Sequence, residues 1–141
     1  MFYGLTIEQL DDGCFQASSR DIPECVFVCD NKEEVRVAGR DAIPAAMELF
    51  YRKRRRPIPL PTPVRKGEIP YRVPVRVQAK ILFWNHLIEN GYRVSDVAKK
   101  LSISQTQAQR YVDLTKDRAS MDAVEEAMEA FGIALTVYVD D

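Results

Sequence analysis

Four prolines at every second position, Pro57, Pro59, Pro61 and Pro63, limit the folds open to this chain more than any other feature. Each proline fixes its own φ and lacks a backbone N–H, so neither a helix nor an interior strand can run through the segment. The spacing predicts an extended, low-entropy connector. Immediately before it stand five cations, Arg52-Lys53-Arg54-Arg55-Arg56. At the end of a helix they would complement its dipole, and they could equally contact a nucleic-acid backbone; the sequence leaves both roles open.

Upstream of the connector, Tyr3, Leu5 and Ile7 alternate with small or polar residues, and Asp12-Gly13 supplies a turn before Cys14-Phe15-Gln16-Ala17. That is a hairpin pattern. The short apolar run Cys25-Val26-Phe27-Val28-Cys29 predicts a central strand with both cysteines on one face. Asp30 or Asn31 can cap a helix with Glu33 and Glu34 in its first turn. Val35, Ala38, Ala42, Ala45, Ala46 and Leu49 then continue at helical spacing, with a kink expected near Arg40 because of Gly39 and Pro44. Beyond the connector, Tyr71-Arg72-Val73 lies between Pro70 and Pro74 and reads as an edge strand. Residues 1–76 are therefore expected to form a β-β-β-α-β domain.

From Val77 the pattern turns helical, with Ile81, Trp84, Leu87 and Ile88 on one side and Gly91 at the place of a C-cap. Ser95 can cap a helix through Val97, Ala98 and Leu101; Ser102-Ile103 makes a turn; Ser104 with Gln107 forms a capping-box signature for the next helix. Ala108, Tyr111 and Val112 would face inward, leaving Gln105, Thr106, Gln109 and Arg110 outward. A further helix runs from Ser120 through Val124, Ala127, Met128 and Phe131 to Gly132. Ile133, Leu135, Val137 and Val139 then alternate as a terminal strand with no evident partner in its own domain. An unpaired apolar edge is a liability, so this strand is expected to pair with its copy in a second subunit, giving a dimer or higher oligomer. The second domain is set at 77–141, and the whole chain is expected to be α+β.

Composition narrows the function. The 46% hydrophobic and 29% charged content suits a soluble globular protein, and no apolar run approaches the roughly 20 residues that span a bilayer. The start does not look like an export signal, so a cytoplasmic protein without a membrane partner is expected. Cys14, Cys25 and Cys29 lack CxxC spacing and His86 is the only histidine, so free thiols and no metal site or cofactor are expected. No catalytic constellation is visible: the carboxylates sit mostly on turns and a helix, and His86 has no nucleophile beside it. The net charge of −1 conceals a segmented chain. Met1 to Phe50 holds 4 basic and 10 acidic residues, Tyr51 to Lys80 holds 10 and 1, Ile81 to Leu114 holds 4 and 3, and Thr115 to Asp141 holds 2 and 7. Alternating blocks of opposite sign suggest different partners for different regions.

Leu101-Ser102-Ile103-Ser104, together with Ala127 to Leu135, resembles the turn and closing helix of phage-repressor-type helix-turn-helix domains, over Val94 to Leu135. Ala98 matches the small residue that lets the helices approach, whereas Ser102 stands where the family usually has glycine. The resemblance implies that the second helix enters the major groove of operator DNA. Gln105, Thr106 and Arg110 would then read bases, and Gln107, Gln109, Lys99, Lys100 and Lys116 would contact phosphates. A dimer would address half-sites about 34 Å apart. A bundle of this kind can also serve only for packing or dimerisation, with a solvated polar face.

The Gly-containing hairpin, Asp21-Ile22-Pro23-Glu24-Cys25, Asp30-Asn31-Lys32-Glu33-Glu34 and Ile58-Pro59-Leu60-Pro61 together resemble the HicB antitoxin family. Glu24 and Cys29 stand where that family often has glycine, Val35 where it often has alanine, and Pro44 interrupts the helix. The resemblance implies a partial ribonuclease-H-like fold without nuclease activity, binding a HicA-type toxin that cleaves messenger RNA. An RNA-binding toxin needs a basic surface, so the acidic residues Glu8, Asp11, Asp12, Asp21, Glu24 and Asp30 are candidates for complementarity with it. The resemblance thus implies an antitoxin that neutralises its toxin and represses its own operon. A ligand-responsive repressor without a toxin is the alternative, and an apolar pocket with converging polar groups would favour it.

Overall fold

The structure, a computed structural model, describes residues 1–116 and 118–139. The fold is mixed α+β, divided into two compact units, Met1–Pro74 and Val75–Asp141.

In the first unit β1 (Phe2–Gln9), β2 (Phe15–Ser19), β3 (Val26–Cys29) and β4 (Ile69–Arg72) form one antiparallel sheet in the order β3-β2-β1-β4. The β1–β2 hairpin closes at Gly13, whose φ of 89° is the left-handed conformation that glycine adopts without a Cβ penalty. Period-two alternation puts Tyr3, Leu5, Ala17 and Tyr71 on the buried face, while Thr6 and Glu8 are exposed. β4 is an edge strand, as its flanking prolines require. The run from Cys25 to Cys29 is not the central strand its composition predicts. It forms the opposite edge, with Val26 and Val28 53% and 54% exposed. A continuous apolar run marks a central strand only where both faces of the sheet are covered, and here a single helix covers one face.

Asn31 starts that helix by accepting the Glu34 N–H at 3.2 Å; a 3₁₀ turn, Lys32–Glu34, leads into α1 (Val35–Met47). The inward stripe is Val35, Gly39, Ile43 and Met47, a strict four-residue spacing. Ala45 and Leu49, grouped with that stripe in the sequence reading, fall about 200° from it at 100° per residue and are exposed. Gly39 does not break the helix but seats it: a Cβ there would lie 3.5 Å from Tyr71 and 3.6 Å from Phe27, on the two edge strands. The helix passes through Pro44, and the departure from α geometry comes later than Arg40, in a π-helical turn at Glu48–Arg52. There the buried Arg52 Nε donates to both Glu48 carboxylate oxygens at 2.6 Å.

Sixteen residues separate this turn from β4. They are tied back by Arg20 and Asp21 at the end of β2. Asp21 accepts the Thr62 N–H at 3.0 Å and its hydroxyl at 2.9 Å, and Arg20 donates to the Pro63 carbonyl at 2.8 Å and to the two Glu68 oxygens at 3.0 and 2.9 Å. Tyr3 donates its hydroxyl to the Pro59 carbonyl at 2.6 Å. Glu68 in turn lies over Gly4, where a Cβ would come within 2.4 Å of its carboxylate, so only glycine at that point of β1 leaves it room.

The second unit contains α2 (Val75–Glu89), α3 (Val94–Leu101), α4 (Gln105–Gln109) and α5 (Met121–Ala130) around a core of Ile81, Phe83, Trp84, Leu87, Val97, Ala108, Val112 and Met128. Phe131 packs between Phe83 and Tyr92 with centroids at 5.7 and 5.1 Å. The α3 cap is not Ser95: Asp96 accepts the Arg93 N–H at 2.7 Å, placing the helix start two residues earlier. Ser120 caps α5 by accepting the Ala123 N–H at 3.1 Å. Residues 133–139, expected as a strand, form none in the single chain, and Val137, Tyr138 and Val139 are 71%, 82% and 84% exposed. A strand is defined by a hydrogen-bonded neighbour, and among the described residues this segment has none.

Glu68 is held below its ordinary value of 4.5, first by the Arg20 hydrogen bonds and then by the Arg65 N–H. Stabilisation from a carboxyl of lowered pKa is full above its ordinary value and is lost as pH falls through the folded one. Arg20→Ala is therefore expected to lower the thermal midpoint at pH 7 and speed proteolysis between residues 53 and 68. The gap from the parent chain should narrow once the pH drops below 4.5; a gap independent of pH would show that Arg20 acts by packing alone.

Candidate functional site

Two surfaces carry the residues with binding chemistry, one on each unit. On the second unit, α3 and α4 are short helices joined by Ser102-Ile103-Ser104. Ser102 has φ 55°, its N–H donates to the Lys99 carbonyl at 3.3 Å, and the Ile103 N–H reaches the Ala98 carbonyl at 3.0 Å. This is the paired capping geometry that normally places glycine at the left-handed position. Ser104 and Gln107 then cap α4 reciprocally: the Gln107 N–H donates to Ser104 Oγ at 3.1 Å, and the Ser104 N–H to Gln107 Oε1 at 3.2 Å.

The result is a rigid corner from which Gln105, Thr106 and Gln107 are exposed, with Lys99 and Lys100 exposed in the last turn of α3. Gln107 is already committed through its side-chain oxygen to the cap, leaving its amide N–H₂ to face outward. Arg110 is half-buried just past the helix end. Gln109 departs from its expected outward position: its Oε1 is buried without a hydrogen-bond partner. α4 is only five residues long and the chain turns at its end, so the helical-wheel assignment fails there. Lys116 is exposed on the loop after α4. That loop is fastened by a residue that no sequence motif singles out. Lys80 of α2, 1% exposed, donates to the Asp113 and Lys116 carbonyls at 3.0 and 2.5 Å. An isolated lysine in an amphipathic helix reads as a surface residue, and its acceptors lie 33 and 36 positions away.

On the first unit the six acidic candidates separate into two groups. Gln9 pairs with Phe15 and Phe15 with Cys29, so the β1–β2 turn and the end of β3 lie at the same end of the sheet. Glu8, Asp11, Asp12 and Asp30 are exposed there, next to Glu33 and Glu34 at the start of the helix. Asp12 also receives the Cys14 N–H at 2.9 Å. Asp21 and Glu24 belong to the opposite end and serve the fold: Asp21 holds Thr62, and Glu24 accepts the Tyr51 hydroxyl at 2.5 Å. That bond, more than the nearby Arg56 and Arg54, keeps the Glu24 carboxyl below the usual range, while burial and the same bond push the Tyr51 phenol up to about 12. α1 with its π turn runs from the acidic end to this one and delivers the run Arg52 to Arg56 to it. The unit is thus acidic at one end and basic at the other. Among the described residues no group of three or more His, Cys, Asp or Glu side chains is placed to hold a metal ion, and no helix is long and apolar enough to cross a membrane.

A family model described as the HicB_like antitoxin of bacterial toxin-antitoxin system matches residues 2–82, the whole first unit and the first half of α2. The chain belongs to the HicB-like antitoxin family. Among similar proteins, Antitoxin HicB 1 of Photorhabdus laumondii is 30% identical over 99% of this chain and 88% of its own length. Antitoxin HicB 2 of the same organism is 30% identical over 79% of this chain and 78% of its own length. Antitoxin HicB of Escherichia coli K12 is 27% identical over 97% and 98%. The similarity to the first and third therefore continues beyond the family-model match through the helical unit.

The left-handed Ser102 is the strained element of the α3–α4 corner. Ser102→Gly is expected to raise the unfolding free energy by about 0.5–1 kcal/mol, the difference between relief of a left-handed L-residue and the added chain entropy of glycine. Denaturant titration reads it directly; a fall in midpoint would mean the serine hydroxyl does more than cap a turn.

Proposed function

We propose that this chain is the antitoxin of a bacterial toxin–antitoxin pair. Its first unit, close to residues 1–76, is a partial ribonuclease-H-like fold without nuclease chemistry that binds and neutralises a HicA-type toxin that cleaves messenger RNA. Its second unit, residues 77–141, is a helix-turn-helix that binds operator DNA and represses the operon. Family membership over residues 2–82 is the observation that carries the antitoxin reading. The exposed acidic end of the sheet supports the way it would work. A nuclease that grips RNA presents cations, and Glu8, Asp11, Asp12 and Asp30 offer it a field of opposite sign at a place where no other role consumes most of their charge. Asp21 and Glu24 lie at the other end of the sheet, where their carboxylates are also hydrogen-bonded within the unit.

The DNA reading is supported by the α3–α4 corner. Gln105 and Thr106 at the start of α4 are exposed as a groove-reading helix requires, with Arg110 following, and Lys99, Lys100, Lys116 and the Gln107 amide stand to meet phosphates. Gln109 is half-buried with its side-chain oxygen inward, and it would meet a phosphate through its amide N–H₂. The exposed, apolar residues 137–139 support a homodimer in which the terminal segment pairs with its copy, so that two corners address two half-sites. The protein acts in the cytoplasm, with no cofactor and no enzymatic activity of its own.

Coexpression with the small open reading frame beside its gene tests the antitoxin reading: the two proteins are expected to copurify, with RNA cleavage by the neighbour suppressed. Reversing Glu8, Asp11 and Asp30 to lysine should slow association by about tenfold or more at low salt, with little change in the thermal midpoint. The same change at Asp21 should instead lower the midpoint. Unchanged association for the triple reversal would place the toxin elsewhere on the unit. On operator DNA, Gln105→Ala and Arg110→Ala should each cost about 1–3 kcal/mol of discrimination against a scrambled duplex; equal binding to both duplexes by the parent chain would end the base-reading assignment.

A further inference from the structure

The basic run has a structural surplus that the helix end does not explain. The α1 terminus closes at Arg55, where the Arg55 N–H donates to the Arg52 carbonyl at 3.1 Å and the Arg56 N–H to the Tyr51 carbonyl at 2.8 Å, with Arg55 at φ 54°. The same capping pattern ends α2 at Gly91 and α5 at Gly132, both glycines at positive φ. Among the described residues only Arg55 and Ser102 adopt a positive φ without being glycine. An L-residue in this conformation is disfavoured relative to glycine, so here a cation stands where the fold favours glycine.

A helix dipole is equivalent to about half a charge at its C-terminus. Lys53, Arg54, Arg55 and Arg56 are all exposed, and residues 49–67 hold seven cations and no carboxylate. The acids of this end are fewer and also hold the fold: Asp21 accepts from Thr62, Glu24 accepts from Tyr51 while lying near Arg54 and Arg56, and Glu48 pairs with Arg52. Two of the cations are held in place by rings, Arg54 over Phe50 at 5.4 Å and Arg56 over Tyr51 at 4.8 Å. The second unit, by contrast, carries 8 basic and 10 acidic residues, too acidic to draw a polyanion by its net field.

We infer that the turn Lys53–Arg56 at the end of α1 is a second, sequence-independent nucleic-acid contact, binding the phosphate backbone of duplex DNA. This rests on the DNA reading of the second unit. The partner is duplex and not single-stranded, because the faces of Phe50 and Tyr51 that would stack unpaired bases are covered by the guanidinium groups of Arg54 and Arg56. A toxin with an RNA-binding, basic surface is repelled from this end and attracted to the other, so one unit addresses both partners from opposite poles.

The test uses the full chain with Lys53→Gln, Arg54→Gln and Arg55→Gly, leaving Arg52 on Glu48 and Arg56 on Tyr51. The glycine relieves the left-handed position, and the thermal midpoint is read beside the binding to show that the variant is folded. Fluorescence anisotropy is read on operator duplex, scrambled duplex and a single strand of equal length, from about 50 to 200 mM salt. Affinity for both duplexes is expected to fall roughly tenfold or more, with the logarithmic salt slope shallower by about 2 to 3 and the operator-to-scrambled ratio unchanged. An unchanged slope on scrambled duplex, or tighter binding of the single strand by the parent chain, overturns the inference. Gln105→Ala with Arg110→Ala has the opposite signature, a lost ratio with the slope on scrambled duplex kept. A parent chain without operator preference refutes base reading by α4, while the slope on scrambled duplex still decides the role of the turn.

Discussion

The first unit depends on fastening its long connector to the sheet. β4 joins β1 only if sixteen residues without secondary structure return the chain from the end of the helix. A loop of that length is unusual in a compact unit and entropically costly to order. Alternating prolines reduce that cost in the unfolded chain, and Arg20 and Asp21 supply the fixed points in the folded one. Because Glu68 crosses β1 to reach Arg20, a side chain in place of Gly4 would push its carboxylate out of that bond. Glycine in the middle of a strand, ordinarily a weakness, here lets the connector be fastened across it.

The same arrangement sorts the charges. The helix starts beside the hairpin turn and ends beside the connector, so carboxylates gather at its N-terminus and cations at its C-terminus, as the dipole favours. Carboxylates at the basic end are outnumbered by its cations, and each is also bound to a hydroxyl, an amide or a guanidinium of the fold. The unit therefore holds two separate electrostatic surfaces although its halves nearly balance in charge.

In the second unit a buried lysine does the comparable work. Lys80 reaches across the core to backbone carbonyls after α4, which keeps a five-residue helix, too short to be stable alone, at the end of an ordered corner. Its ammonium is tolerated in the interior because it is hydrogen-bonded there.

Much of this was legible in the sequence. The hairpin followed from alternation and Asp12-Gly13, the edge character of β4 from its prolines, and the α4 cap from Ser104 and Gln107. These are local effects, governed by residues within a few positions of one another. The sequence could not place the Cys25 to Cys29 run at an edge, because what covers each face of a strand is settled by distant elements. Nor could it divide Glu8, Asp11, Asp12 and Asp30 from Asp21 and Glu24, since all six are acids on turns or strand ends and only their partners, up to 41 positions away, distinguish them. Composition determined which charges the chain carries and in what blocks. The tertiary structure alone decided which of them are neutralised inside and which are left to act outside, because hydrogen bonding to a distant group requires the fold to exist first.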